Sequence, residues 1–204
     1  GAGHLSPVAD QGQTIRTSGV VTAVAFNGYY LQDAVGDGED ATSDGIFVFT
    51  RGAKPGVGDE LEVIGDVQEF IPGGAGTGNL SITQLSGSFS VVSSENPAPD
   101  PVVIGTSGRV APAVDVISKD ERPVNLQEDP GVFNPDNDGI DFYESLEGML
   151  VTVENPVAVS ATRTFSPLSS WYSVMPSTEA TGSRLWAWRV VAVPPVRAVA
   201  RSGA

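Results

Sequence analysis

Acids are the side chains of this chain most able to do chemistry, and they cluster. Asp33, Asp37, Glu39, Asp40 and Asp44 share one Gly- and Ser-containing stretch between two apolar runs. Carboxylates at such close spacing are hard oxygen donors, which is what calcium takes. Asp37, Asp40 and Asp44 are therefore candidate ligands of a bound Ca2+. A second acidic loop, Asn134-Pro135-Asp136-Asn137-Asp138-Gly139-Ile140-Asp141, has the D-x-D-G character of a calcium loop and puts Asp136, Asp138 and Asp141 forward. It departs from an EF-hand. Counted from Asn134, the twelfth position is Ser145, where that motif has Glu; Glu144 is one off, and the pattern shows no flanking helices. The plainer reading of both loops is a solvated turn in which Asp and Asn side chains bond their own backbone.

Other chemistry is poorly supplied. There is no Cys, so disulfides are excluded and the redox compartment stays open. The single histidine, His4, lies in a small polar arm, where it is a surface residue unless metal partners gather around it. No Ser/His/Asp, Cys/His or metal-cluster constellation is present, and nothing singles out a carboxylate pair for glycoside chemistry. The residues do not describe an enzyme in its own right.

The elements that would carry these loops read as short strands. Gly28–Asp33 opens on a Gly and runs through two Tyr and a Leu; Gly45–Thr50 holds four β-formers in a row. These two flank the first acidic loop, and the rest of the chain looks like support for them. Thr14–Phe26 is a long β-rich run with Gly19 in its middle, where a strand bending between two sheets wants no side chain. Asn27-Gly28 is a strong hairpin turn, because both residues accept positive φ. From Glu60 to Phe70 the sequence alternates, with Leu61, Val63 and Val67 on one side and Glu60, Glu62, Asp66 and Gln68 on the other. Leu80–Leu85 and Phe89–Val92 read as two further short pieces. About five strands with a long, Gly-broken first one predict an all-β chain with a five-stranded Greek-key barrel, the OB-fold. An immunoglobulin-like sandwich is the alternative, though it wants about seven strands.

Composition agrees. The 204 residues include 24 Gly and 15 Pro and are 40% hydrophobic, enough for a core, with no long helical periodicity. No apolar run is long enough to span a bilayer, and no signal peptide is visible. The first residue is Gly, which reads as a chain beginning inside a longer polypeptide. The net charge of −14 repels phosphate and argues against tight, sequence-independent nucleic-acid binding; it fits a soluble secreted protein that holds calcium. The charge is uneven. Beyond residue 160 there is one acid, Glu179, against five Arg, and all three Trp lie there. The predicted layout is an arm over 1–13, an OB-like barrel over 14–92, a Pro- and Asp-rich connector over 93–142, the start of a second β module over 143–165, and an atypical basic tail over 166–204. The strand Met149–Val153 opens that module. The tail reads as a non-native terminus or a domain cut short; a nucleic-acid tail is the functional alternative, carried only by its interleaved Arg and Trp.

Taken as a series, GAGHLSP, SGVVTAV, GYYLQD, DGEDATSDGIFVFT, VGDELEVIGDVQEF and YESLEGMLVTVENPV resemble the non-catalytic, OB-fold region of bacterial extracellular nucleases of the endonuclease/exonuclease/phosphatase superfamily. The resemblance runs from Gly1 to about Val159. It implies secretion, a metal-dependent catalytic domain further along the same polypeptide, and nucleic acid as the partner of the OB region. OB-folds bind with the face of strands 2 and 3 and adjacent loops. Those strands supply Tyr30 and Gln32, then Phe47 and Phe49, with Arg51 and Lys54 as the nearest cations. Stacking of bases on such rings is the physical basis of single-strand binding. The plainer reading is that these rings are core. The expected function is a nucleic-acid-binding accessory region without catalysis of its own. The competing class is a calcium-stiffened structural spacer.

Overall fold

The structure is a computed structural model that describes residues 13–77, 79–112 and 132–158 and the strand pieces 163–166, 169–171 and 174–175. It is an all-β chain apart from one short helix and a single 3-10 turn among the described residues. Five strands carry the first half: β1 (Thr14–Ala25), β2 (Gly28–Gln32), β3 (Gly45–Phe49), β4 (Glu60–Phe70) and β5 (Ile82–Ser93). They pair round in the order β1-β2-β3-β5-β4, and β4 returns to β1, so the sheet closes on itself.

The long first strand makes the closure possible. Its first half pairs with β4 (Thr14↔Asp66 to Val20↔Glu60) and its second half with β2 (Val20↔Gln32 to Ala25↔Gly28). The handover falls beside Gly19, where a Cβ would stand 2.6 Å from the Gln32 carbonyl oxygen. A residue with a side chain could not pass that close. β3 and β5 run parallel, and the remaining pairs are antiparallel. Inside sit Val21, Tyr29, Leu31, Val48, Leu61, Val63, Val67 and Leu85, all buried. β4 shows the pleat most plainly: Leu61, Val63 and Val67 are buried while Glu62, Asp66 and Gln68 are exposed, as the alternation predicts.

One strand differs from expectation. Leu80–Leu85 and Phe89–Val92 are not two pieces: from Ile82 on, both belong to the continuous strand β5. Ser86-Gly87-Ser88 resembles a turn in sequence, yet Gly87 is paired with Gly65 of β4, and a Cβ on it would collide with the Ile64 carbonyl oxygen and stand 2.5 Å from the Gly65 Cα. The glycine marks a close crossing of two strands rather than a break.

A second, smaller core follows. β6 (Val102–Ile104) lies parallel to β7 (Val151–Val153), and α1 (Gly139–Glu144) packs against them. Ile104, Phe142 and Leu146 are its buried centre. β6 and the first residues of α1 fall inside the stretch read as connector, 93–142. Beyond β7 the described strands are β8 (Val157–Ala158), β9 (Arg163–Ser166), β10 (Ser169–Trp171) and β11 (Val174–Met175), paired β8 with β11 and β9 with β10. His4 and residues 184–204 lie outside the described residues.

Candidate nucleic-acid interface

The six residues read as a nucleic-acid face separate into two groups. Tyr30 and Phe47 are paired across β2 and β3, and their rings pack 5.0 Å apart. Both are buried, as is Gln32. They alternate with Tyr29, Leu31 and Val48, which point into the barrel, so they belong to its outer face and yet are covered. Phe47 lies over Gly28, where a Cβ would come within 2.5 Å of the ring. Gln32 is engaged elsewhere: its Oε1 accepts the backbone N–H of Leu150 at 2.7 Å. Phe49, Arg51 and Lys54 form the accessible group. Phe49 is half-buried with the Arg51 guanidinium 5.7 Å from its ring centre.

A second such pair was not singled out from sequence. Phe26 is 91% exposed, and the Lys54 ammonium sits 5.8 Å from its ring centre. The two pairs share one end of the barrel. Phe49 is the partner of Gly28, and the Thr50 N–H bonds the Asn27 carbonyl at 3.0 Å, tying the end of β3 to the β1–β2 turn beside Phe26. A cation held over a ring face is worth about 0.5–1 kcal/mol at exposed sites. The same arrangement offers a base a flat surface and a phosphate a charge. The signal for Phe26 was its place against Asn27-Gly28: a side chain at a hairpin turn has left the barrel wall.

The acidic loops are occupied by their own backbone. Asp33 Oδ1 accepts the N–H groups of Val35 (2.9 Å) and Gly36 (3.3 Å); Asp37 accepts the Thr42 hydroxyl (2.6 Å) and the Glu39 N–H (2.8 Å); Asp44 accepts the Asp37 N–H (3.1 Å). The Thr42 and Glu39 donors hold the Asp37 carboxyl below the usual carboxylate range. Asp40 and Asp44 line a cleft of about 140 Å³ whose wall includes Arg109, a charge that opposes a second cation. In the second loop Asp136 is exposed, Asp138 is the N-cap residue of α1, and the buried Asp141 accepts the Asn134 N–H. Among the described residues no three Asp, Glu or His side chains are gathered as a metal site would require.

The contact between the barrel and the second core carries groups that sequence patterns did not flag. The Ser43 hydroxyl donates to the Glu147 carbonyl at 2.5 Å, and the Thr83 N–H donates to the Glu147 carboxyl at 3.2 Å. Thr83 also donates its hydroxyl to Glu69 at 2.9 Å. Gly45 and Gly148 meet backbone to backbone: a Cβ on Gly45 would stand 2.5 Å from the Gly148 carbonyl carbon. Burial, opposed by the Thr83 N–H and reinforced by the Glu69 charge, pushes the Glu147 carboxyl up to about 8. Burial, then the neighbouring Glu147, Glu69 and Asp141 carboxyls, raises Glu144 well above its ordinary value. No pattern in sequence distinguishes these acids from the exposed ones around them.

Residues 103–185, less than half of the chain, match a family described as a domain of unknown function (DUF8508). The match begins within β6 and takes in α1 and all the later strands. No curated protein and no solved structure matches the chain.

Proposed function

We propose that residues 14–93 are an OB-like Greek-key barrel that binds single-stranded nucleic acid weakly, as the accessory region of a secreted bacterial nuclease whose catalytic domain lies elsewhere in the same polypeptide. The observation that carries this is the pair of cation-capped rings at one end of the barrel, Lys54 over Phe26 and Arg51 over Phe49. The strand order, with a long first strand shared between two partners and a parallel β3–β5 closure, supports the OB-like reading. Stacking rather than charge is the main term. Between residues 14 and 92 the only cations are Arg16, Arg51 and Lys54, against ten acids, so few phosphates are neutralised. The slope of log affinity against log salt is then shallow, about −1.4 for two contacted phosphates.

The test is a fluorescence-anisotropy titration of a labelled single-stranded oligonucleotide at two salt concentrations. Each stacked base contributes about 1–3 kcal/mol, so Phe26→Ala and Phe49→Ala are each expected to weaken binding by roughly 5- to 150-fold. Lys54→Ala should cost less. A wild type that does not bind at low salt overturns the reading. It would leave the second one, a structural spacer, which the burial of Tyr30, Gln32 and Phe47 favours: the outer face of β2 and β3 is covered, and Gln32 is bonded to Leu150.

A further inference from the structure

The seam between the barrel and the second core is fastened chiefly at one residue. Glu147 follows α1 and uses both its carbonyl and its carboxyl to hold the barrel, the first through Ser43 of the acidic loop and the second through the Thr83 N–H of β5. Thr83 in turn binds Glu69 of β4, so one threonine bridges two carboxyls. Glu144 of α1 is buried beside them, with Asp141 of the same helix behind it. β5 contributes only an N–H and a hydroxyl, and the acidic loop only the Ser43 hydroxyl. Arg109, on the loop after β6, donates to the Ser145 hydroxyl at 3.0 Å and stacks 4.9 Å from the Phe142 ring centre. Among the described residues no Lys, Arg or His forms an ion pair with Glu144 or Glu147.

Glu147 and Glu69, both half-buried, share Thr83, and the buried Glu144 lies near them; such neighbouring carboxyls cannot all ionise freely, since each new charge meets both lowered dielectric and its neighbour's field. We propose that Glu147 is a proton-operated latch: with its carboxyl protonated the second core stays docked on the barrel, and ionisation undocks it. The proton leaves to solvent and the carboxylate follows it into water as the seam opens. Geometry makes Glu147 the point at which such a change acts. The seam has few other fastenings: the Gln32–Leu150 bond at 2.7 Å and the Gly45–Gly148 contact. The direction follows from linkage. Burial in the docked state pushes the Glu147 carboxyl from its ordinary 4.5 up to about 8, so the docked state binds more protons. Docking is fully favoured below the solvated value and is lost progressively as pH rises from there toward the docked value.

The experiment measures amide hydrogen-exchange protection factors, corrected for the intrinsic pH dependence of exchange, on the whole chain. Protection at the Leu150 and Thr83 amides is expected to fall by about tenfold per pH unit between about pH 6 and 8, while Leu61 and Val63 inside the barrel keep theirs. Glu144→Gln with Glu147→Gln cannot ionise and should hold seam protection constant over that range. Three results would overturn the latch: seam amides of the wild type unchanged with pH, barrel amides falling in step with them, or the double variant losing protection at the wild-type rate. Should the double variant fail to fold, the wild-type series decides alone.

Discussion

Replacing Gly45 by Ala tests whether the seam is a close-packed backbone contact. The new Cβ would stand 2.5 Å from the Gly148 carbonyl carbon, 2.6 Å from its oxygen and 2.7 Å from the Met149 nitrogen. All three are backbone atoms, so no flexible side chain can yield. Ordinary contact begins near 3.5 Å, which forces the two chains apart by about 1 Å. The hydrogen bonds alongside then fail: Gln32 to Leu150 would stretch from 2.7 Å beyond bonding reach, and the Ser43 and Thr83 bonds to Glu147 share the same shift. Three bonds at about 0.5–1.5 kcal/mol each give a loss of roughly 2–4 kcal/mol. With a urea slope of about 1–3 kcal/mol/M, the midpoint followed by far-UV circular dichroism should drop by about 1–2 M. Gly38 provides the control. It has φ of +80° but no atom within 4 Å of a built Cβ, so Gly38→Ala meets backbone strain alone, about 1–2 kcal/mol. Gly45 carries no positive φ, and its loss is contact alone. A Gly45→Ala midpoint within about 0.1 M of wild type would refute the packed seam, since even one lost bond exceeds that.

Two further outcomes are expected. The Tyr29 hydroxyl is buried with no hydrogen bond among the described residues, its ring edge-on to Phe89 at 5.6 Å, so Tyr29→Phe should be neutral or stabilising by about 1 kcal/mol in the same urea assay. Because burial pushes that phenol from 10.0 up to about 12, the wild type should lose stability as pH rises above 10 and the variant should not; equal alkaline melting curves would refute it. At acid pH the sign reverses. Ser107, by hydroxyl and N–H, and Thr106 hold Glu154 below its ordinary value, so its contribution is present above the usual carboxylate range and is lost as pH falls through the lowered one. Glu154→Gln should flatten the fall of melting temperature below about pH 4, and an unchanged slope would show that the clasp contributes nothing.

What the sequence determined by itself was local and periodic. Alternation of period two set the faces of β4, because side-chain direction in a strand belongs to the residues themselves. A turn was legible near Asn27-Gly28, but it falls one residue earlier, on Phe26-Asn27, with Gly28 already paired in β2 and neither Asn27 nor Gly28 at positive φ. Gly19 was legible as a position in a long strand that wants no side chain. Tertiary structure decided whatever depends on an unrelated segment arriving. Gly87 looks like a break until Gly65 is opposite it. β6 is three residues long, too short to show a period, and exists because β7 lies beside it. Tyr30, Gln32 and Phe47 carry the residue types of a binding face, yet they are buried, and Leu150, far away in sequence, takes up the Gln32 side chain. Phe26, by contrast, escaped notice among strand-formers and is the most exposed ring of the barrel end. Glu147 is one acid among 25, and only its place against Thr83 and Glu69 separates it from the rest. Burial is a property of what surrounds a residue, and the surroundings are assembled only by the fold.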